Sequence, residues 1–409
     1  MYLFCARGKP LALTIKNVIY ELLFICLYFV SFITPKRSDL WVFGAWLGQK
    51  YGDNPKILMD YVQYKNNKIS CYWITKDKKL FIELEKMGVN VYYYASLQGL
   101  IAQLRAGKAI FSHSIQSDFF APCISRRTQR IQLWHGVPLK RIGYDGDFPR
   151  SKGLKLFVKN YLLRYRSDYI DLAFAQSERT AAIFCRAFNI SRNRVLISGS
   201  PSTDSVLKLK DKKPKQDKIY ILFAPTFRRG TWTDYDFFEN YDLPLRDLDR
   251  HLEESNIVLG LRPHPVNRLP ETRLREIEKL KNIRLDDADS LTEAIIKYHI
   301  LITDFSGILF DFAALRRPVY FLPLNFDEYV KNERALYVDY ESFIEGFKFE
   351  DWHDLVEKLP RLAENVTNNS FLPNERIFEY GIAYTDGNNC ERIYNYLIAN
   401  QNPVDHTSY

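Results

Sequence analysis

Short apolar runs alternate with amphipathic segments along the chain after residue 35. The apolar runs cover residues 40–43, 70–74, 91–94, 109–112, 130–133, 171–175 and 195–198, and then 219–224, 257–261, 283–285, 300–303 and 318–322. Segments with helical spacing lie between them, such as Asn54 to Val62, with Asp53 as the predicted N-cap, and Glu178 to Phe188. Strands that alternate with helices predict parallel sheets with crossover helices.

One polar segment interrupts this alternation near the middle of the chain. Residues 208–218, KLKDKKPKQDK, contain Leu209 as their single apolar residue and are predicted to be a linker. The pattern therefore predicts an N-terminal Rossmann-like domain over residues 39–207, a C-terminal one over 219–395 and a tail over 396–409. Two doubly wound α/β halves of this kind are expected to face each other across a cleft at the carboxyl ends of their strands.

The most apolar stretch lies near the N-terminus, at residues 11–33. Lys16, Asn17 and Glu21 interrupt it, and on a helical wheel the latter two share a narrow sector with Thr14 and Tyr28. We predict that residues 1–38 form an amphipathic segment that lies on an anionic membrane surface, attracted there by Arg7, Lys9 and Lys16. A membrane-spanning helix and a buried core helix remain the alternatives.

Composition narrows the class of protein. The 409 residues are 46% hydrophobic and 26% charged, which excludes a disordered, collagen-like or disulfide-dense chain. The net charge of +8 is compatible with an anionic substrate or a membrane surface. The six cysteines lack the spacing of a zinc site, and GxGxxG, Walker A and GxSxG motifs are absent from the sequence. The acidic pair Asp287 and Asp289 is explained by helix initiation, because Ser290 and Glu293 have capping-box spacing.

Chemically active residues cluster after predicted strands, where parallel sheets bind their ligands. His135 lies in Trp134-His135-Gly136-Val137-Pro138 and is a candidate general base, although a histidine bound within a loop is the simpler interpretation of this motif alone. In Arg262-Pro263-His264-Pro265 the two prolines stiffen the backbone, which presents Arg262 and His264 on one side for a phosphate or pyrophosphate.

Two further clusters follow strands of the second half. Ala224-Pro225-Thr226-Phe227-Arg228 combines a hydroxyl group, an aromatic ring and a guanidinium group. Thr303-Asp304-Phe305-Ser306-Gly307 opens an apolar helix predicted over residues 308–315, where free backbone amides favour an anion and where Ser306 is also a plausible N-cap. Asp311 follows about one turn later.

The ordered set of motifs resembles the CDP-glycerol glycerophosphotransferase family, which builds teichoic acids and related capsule polymers. The matching segments span roughly residues 40–395 and comprise 51–56, 134–140, 224–228, 262–265, 303–307 with Asp311, 327–329 with Arg334, and 386–387 with Arg392. The resemblance implies a GT-B-type fold whose C-terminal half holds the donor. It also implies transfer of glycerol phosphate from CDP-glycerol to a hydroxyl group of a membrane-linked or saccharide acceptor, with release of CMP.

The same resemblance implies a location and a set of site residues. Family members attach peripherally to the cytoplasmic face of the bacterial membrane. The implied catalytic residues are His135 and His264, and the implied substrate-binding residues are Trp134, Gly136, Val137, Pro138, Thr226, Phe227, Arg262, Pro263, Ser306, Gly307 and Asp311. No cofactor is expected to be required, Mg²⁺ is possible but not indicated, and no nucleic-acid partner is expected.

Three departures from the family pattern leave the donor open. Ser202 stands in Gly199-Ser200-Pro201-Ser202-Thr203-Asp204 where the family often has arginine, Gly307 replaces a common serine, and Val137 replaces a common threonine. The alternatives are a transferase for CDP-ribitol or another polyol phosphate, a GT-B glycosyltransferase that uses a nucleotide sugar, and a non-enzymatic membrane scaffold.

Overall fold

A computed structural model divides the chain into two compact units. It describes residues 15–146 (the backbone alone for 15–18), 169–212, 214–215, 217–226, 228, 235–239, 244–264, 267–288, 291–326, 329 and 335–400. The first unit comprises residues 1–132, 150–171 and 400–409, and the second comprises 133–149 and 172–399. The predicted linker at 208–218 lies inside the second unit, and the domain boundaries given above stay a prediction.

In the first unit five parallel strands lie in the order β3-β2-β1-β4-β5. Their bounds are Arg37–Gly44 (β1), Ser70–Thr75 (β2), Val91–Tyr93 (β3), Ala106–Phe111 (β4) and Gln129–Gln132 (β5). The helices of this unit are Ile15–Ile33 (α1), Asp53–Lys65 (α2), Lys78–Lys86 (α3), Leu97–Arg105 (α4) and Ile115–Asp118 (α5). Gly52 is the N-cap of α2, so Asp53 begins that helix and does not cap it as predicted.

The second unit contains a parallel strand pair and a five-stranded parallel sheet. The pair is Leu172–Ala175 (β6) and Val195–Ile197 (β7). The sheet has the order β10-β9-β8-β11-β12, with bounds Ile219–Phe223 (β8), Ile257–Leu261 (β9), Ile283–Leu285 (β10), Ile300–Thr303 (β11) and Val319–Phe321 (β12). Every residue of β8, β9 and β11 is buried, as expected for strands of a parallel sheet that is covered on both faces.

Helices of the second unit connect and cover these strands. They are Glu178–Ala187 (α6), Pro201–Leu207 (α7), Leu245–Glu254 (α8), Glu271–Ile277 (α9), Leu291–Lys297 (α10), Ile308–Ala313 (α11), Tyr340–Ile344 (α12), Trp352–Thr367 (α13), Glu375–Gly381 (α14) and Asn389–Ala399 (α15). Aromatic rings fill part of the core, where Trp352 stacks on Phe238 and meets Phe223 edge-on. The predicted α/β fold with parallel sheets is confirmed. All twelve predicted strands are present, and their ends lie within two residues of the predicted ends except at the starts of β1 and β4, which begin three residues earlier.

Helix α1 docks on the first unit by one face and exposes the other. Phe24 meets Phe120 edge-on, with 5.4 Å between the ring centroids, and Ser125 Oγ donates to the carbonyl oxygen of Ser31 at 3.0 Å. Tyr28, assigned above to a polar sector, is buried because it lies on this docked face. The opposite face exposes apolar side chains, namely those of Ile19, Leu22, Leu23, Phe29, Val30 and Ile33.

The charge that follows α1 is turned inward. The Lys36 ammonium donates to the carbonyl oxygen of Leu104 at 2.6 Å, and burial lowers the pKa of Lys36 to about 8. Within the described residues, no helix combines the length and the hydropathy needed to cross a membrane.

Candidate functional site

A cavity in the second unit brings together segments that lie far apart in the sequence. It is lined by Gly136 and Val137 from the segment after β5, by Ser202 from α7, and by Gly307 and Asp311 around α11. Ser202 Oγ donates to Asp311 Oδ1 at 2.9 Å, so the serine that replaces the family's arginine contacts a predicted substrate-binding carboxylate. Four of the predicted substrate-binding residues therefore line one cavity.

Asp304, directly after β11, is the centre of a second cluster. Its carboxylate is 1% exposed and accepts hydrogen bonds from Thr226 Oγ1 at 2.6 Å, Thr226 N at 2.9 Å and Phe305 N at 2.7 Å. Arg228 Nη1 donates to Asp304 Oδ2 at 3.0 Å. Because these bonds join the loops after β8 and β11, Asp304 fixes the position of the predicted donor-binding residue Thr226.

Arg228 is a buried cation held mainly by that carboxylate. Burial is the largest single influence and acts to lower the pKa of Arg228, but the charge and hydrogen bond of Asp304 together with Tyr235 and Tyr329 raise it above its ordinary value. Nη1 and Nη2 also donate to the carbonyl oxygens of Thr226 and Leu324, whereas Nε is buried with no hydrogen-bond partner among the described residues. Arg228 therefore carries a positive charge at the carboxyl ends of β8 and β11 under any physiological condition.

A second cation approaches the same place from the segment that follows His135. Phe305 and Tyr329 form a ring pair with centroids 4.1 Å apart. Lys140 Nζ lies 5.5 and 5.2 Å from these two centroids, and the Arg228 guanidinium lies 5.1 and 4.9 Å from them. All four distances are within the range of cation–π contacts. The ring pair thus places two positive charges close to the loop that precedes Ser306.

Residues on both sides of His135 are held by contacts within the second unit. Tyr380 Oη donates to the carbonyl oxygen of Pro138 at 2.8 Å, and Tyr337 N donates to that of Leu139 at 2.8 Å. Trp134 adopts a left-handed φ of 54° and lies 5.1 Å from Phe188, centroid to centroid. His135 itself is exposed beside the Trp134 ring. These bonds give Pro138 and Trp134 structural contacts and leave the His135 side chain accessible.

The Arg262 guanidinium is occupied within its own sheet. Nη1 pairs with Asp286 Oδ2 and also donates to the carbonyl oxygen of Ala288 at 3.0 Å. The Asp286 side chain is fully buried and accepts a further bond from Tyr298 Oη at 2.9 Å. Arg262 therefore has a structural partner in addition to any role toward a phosphate.

His264 belongs to the loop that carries Asn267. Asn267 N donates to the carbonyl oxygen of His264 at 2.9 Å, and Asn267 Oδ1 accepts from Arg228 N at 2.7 Å. The buried Asn267 side chain thereby links the His264 loop to the Thr226 loop. Pro263 is half-buried next to it, and Phe227 lies outside the described residues.

The start of α11 differs from its prediction. Gly307 is the N-cap, and the Ser306 side chain does not cap the helix, so the N-cap interpretation of Ser306 is wrong. The helix ends at Ala313 instead of residue 315. Ser306 is half-buried and Gly307 is exposed, so both remain accessible to a ligand at the carboxyl end of β11.

Sequence reasoning missed four residues that organise the site. Asp304 and Lys140 lie inside motifs quoted above, Asn267 lies just beyond one, and Gln176 follows β6. Asp304 and Gln176 come directly after β11 and β6, and a polar residue at the end of a buried strand was the available signal for these two. No group of three potential metal ligands occurs among the described residues.

Comparison with protein families identifies the chain. The family model described as CDP-Glycerol:Poly(glycerophosphate) glycerophosphotransferase matches residues 26–399. The chain belongs to this family. Both the resemblance inferred from the motifs and the prediction of a phosphotransferase are confirmed.

The chain is also similar in sequence to curated teichoic acid enzymes and in fold to a solved teichoic acid polymerase. The chain is 27% identical over 402 residues to the teichoic acid glycerol-phosphate transferase of Staphylococcus aureus, covering 93% of this chain and 98% of that protein. It is 26% identical to the teichoic acid ribitol-phosphate polymerase TarL of the same organism, covering 76% of this chain and 56% of that protein. The wall teichoic acid polymerase TagF has the same fold, with a TM-score of 0.70, 20% identity and coverage of 95% of this chain and 96% of that one.

Proposed function

We propose that this protein transfers glycerol phosphate from CDP-glycerol to a hydroxyl group of a membrane-linked or saccharide acceptor and releases CMP. The observation that carries the proposal is the cavity shared by Gly136, next to His135, and by Gly307 and Asp311 of α11. A candidate base and candidate donor-binding groups thus belong to one compact unit, as a single displacement at phosphorus requires. The S. aureus relative, a glycerol-phosphate transferase, supports the donor.

In the proposed step, the acceptor oxygen attacks the phosphorus that bears glycerol. His135 takes the hydroxyl proton, the new P–O bond forms, and the P–O bond to CMP breaks with its electrons on CMP. Arg228, Lys140, His264 and the amides at Ser306 and Gly307 stabilise the charge that develops on the phosphoryl oxygens. Arg228 and Lys140 join Arg262 as cations in this proposal, because both lie against the Phe305 and Tyr329 rings next to Ser306.

A second donor is supported by two observations. Ser202 in place of arginine leaves the cavity without a cation at that position, and one relative is named as a ribitol-phosphate polymerase. CDP-ribitol is therefore the second candidate donor, and a panel of donors separates it from CDP-glycerol.

The two α/β halves predicted over residues 39–207 and 219–395, joined by residues 208–218, are proposed to have the GT-B arrangement with a cleft between them.

The His135 proposal has a direct test. His135→Ala is expected to abolish transfer while CDP-glycerol affinity, measured by isothermal titration, stays within a few-fold, because a base acts on the acceptor. His353→Ala, which removes an exposed histidine from α13, is the matched control and is expected to retain full activity. Transfer at the wild-type rate by His135→Ala would contradict the role of His135.

We also propose that the protein attaches peripherally to the cytoplasmic face of the bacterial membrane through the exposed face of α1. The apolar side chains of Leu22 and Phe29 are 56% and 64% exposed on that face. Leu22→Ser with Phe29→Ser is expected to lower flotation with anionic liposomes without unfolding, whereas Ile82→Ser, at an exposed apolar position of α3, should have no effect. Equal flotation of all three proteins would place the membrane contact elsewhere.

A further inference from the structure

The cavity beside His135 contains a buried polar side chain without a hydrogen-bond partner among the described residues. Gln176 follows β6 at the carboxyl end of the strand and is 2% exposed. Neither its Nε2 nor its Oε1 has a hydrogen-bond partner among the described residues, although its backbone carbonyl accepts from Ala383 N at 2.9 Å. A buried amide that lacks both kinds of partner is costly for a folded protein. Gln176 lines the cavity, so a bound ligand can supply the missing partners.

The other polar groups of the cavity define the chemistry of that ligand. Ser202 Oγ donates to Asp311 Oδ1 at 2.9 Å and lies 2.8 Å from Ser200 Oγ. Of the described residues that line the cavity, none is Lys, Arg or His, and Asp311 is the single acidic side chain. A phosphate or carboxylate ligand would lie next to the Asp311 carboxylate, and no lining cation would offset the repulsion between the two negative charges. A neutral ligand with several hydroxyl groups can both donate and accept here.

The walls of the cavity are shaped for close approach. Gly381 forms part of the lining, and a Cβ atom at this position would lie 2.5 Å from Phe310 Cε1 and 2.8 Å from Val137 Cγ1. Gly136 and Gly307 contribute backbone without side chains. The lining therefore combines backbone and small polar groups with the side chains of Val137, Phe310, Ile382 and Tyr384 around one amide and one carboxylate, which suits a slender hydroxylated carbon chain.

We propose that Gln176, Asp311 and Ser202 form a subsite for the hydroxyl groups of a neutral polyol. The inference rests on the proposed function for its source of polyol, which is either the glycerol group of CDP-glycerol or the terminal polyol of the acceptor. The Gln176 amide donates to one hydroxyl and accepts from another, and Asp311 accepts from one of the same two, so the two free hydroxyls of a glycerol phosphate ester suffice. Gly136 borders the subsite and is adjacent to His135, so a polyol held there presents a hydroxyl close to the proposed base.

Gln176→Leu tests the subsite because it removes the amide and nearly preserves the volume. The thermal unfolding midpoint should stay the same or rise, since an unpaired buried amide is lost. The KM for the substrate whose polyol occupies the subsite should rise about tenfold, the equivalent of one hydrogen bond. Gln103→Leu is the matched control: its amide donates to Tyr94 O and Gly99 O and accepts from Phe120 N, so this variant should lose stability and keep its KM values.

Two measurements on Gln176→Leu identify the source of the polyol, and a third measurement does not depend on turnover. If the dissociation constant for CDP-glycerol rises while CMP binding is unchanged, the polyol in the subsite is the glycerol group of the donor. If the KM for the acceptor rises at saturating donor, it is the terminal polyol of the acceptor. Saturation-transfer NMR with glycerol and with ribitol should detect binding to the wild type and weaker binding to Gln176→Leu. If the wild type does not turn over CDP-glycerol but this NMR difference is present, the proposed function fails and the subsite stands. Unchanged constants and unchanged polyol binding in Gln176→Leu would overturn the subsite.

Discussion

Replacing Asp304 by asparagine should destabilise the second unit strongly. The substitution keeps the size of the side chain but places an NH₂ group against donors, because Oδ2 accepts from Thr226 N at 3.1 Å and from Arg228 Nη1 at 3.0 Å. It also removes the charge that balances the Arg228 guanidinium, whose side chain is 13% exposed. Breaking a buried ion pair by removing one partner costs about 3–5 kcal/mol, and we expect Asp304→Asn to lower the free energy of unfolding by that amount.

Urea unfolding followed by circular dichroism and by tryptophan fluorescence measures this change. The matched control is Glu178→Gln, which breaks the pair between Arg192 and Glu178, whose side chains are 52% and 77% exposed. An exposed pair is worth at most about 1 kcal/mol, so the control should unfold nearly as the wild type does. If Asp304→Asn is also within about 1 kcal/mol of the wild type, the carboxylate does not balance Arg228 and the account of this cluster is wrong.

Three other substitutions test separate parts of the structure. Gly381→Ala should cost about 1–3 kcal/mol of stability by overpacking and should lower activity. Gly52→Ala, where nothing lies within 4 Å of the added Cβ, should be tolerated. Equal melting temperatures of the two variants would contradict the close approach of Phe310 and Val137 to Gly381. Burial raises the pKa of the Asp118 carboxyl group to about 6. Its contribution to stability is therefore fully present below about pH 4 and is lost as the pH rises through about 6. The wild type should lose stability relative to Asp118→Asn over that window, and parallel pH profiles of the two proteins would refute the shift. Arg262→Ala should lower stability, because it leaves the Asp286 carboxylate buried without its cation. The double variant Arg262→Ala with Asp286→Ala should recover part of that loss. If Arg262→Ala alone is as stable as the wild type, the pair is not structural.

The fold was predictable because its strands are continuous apolar runs. The segments that become β8, β9 and β11 are buried on both faces, and such runs are visible in a sequence without knowledge of their neighbours. Helix ends were predicted less well. A glycine caps both α2 and α11 where Asp53 and Ser306 were expected, because a capping preference does not fix which of two adjacent residues leaves the helical conformation.

The site was predictable in its motifs but not in its pairings. Strand ends marked Thr226 and His135, because parallel sheets bind ligands at that edge, and Asp311 was marked by its place in the helix predicted to follow such a strand end. The bonds from Thr226 to Asp304 and from Ser202 to Asp311 join residues separated by 78 and 109 positions, and no local pattern contains such information. The same limit hid the Asp286 partner of Arg262, 24 positions away.

The N-terminal helix shows how an amphipathic pattern can mislead. The wheel grouped Tyr28 with polar residues, whereas the structure buries its ring on the docked face of α1. Tyrosine has an apolar body and a polar tip, so it fits a buried face as well as an exposed one. The apolar side chains that the wheel assigned to a membrane are the exposed ones, such as Leu22 and Phe29.

The central claim is tested most directly by incubating the purified full chain with CDP-glycerol, CDP-ribitol or UDP-sugars and a synthetic lipid that ends in glycerol phosphate. We expect CMP to be released from CDP-glycerol in equal amount to the glycerol phosphate added to the lipid, and His135→Ala to release none. Turnover of a UDP-sugar without turnover of either CDP-polyol, or CMP release that does not depend on the acceptor, would contradict the proposed transfer.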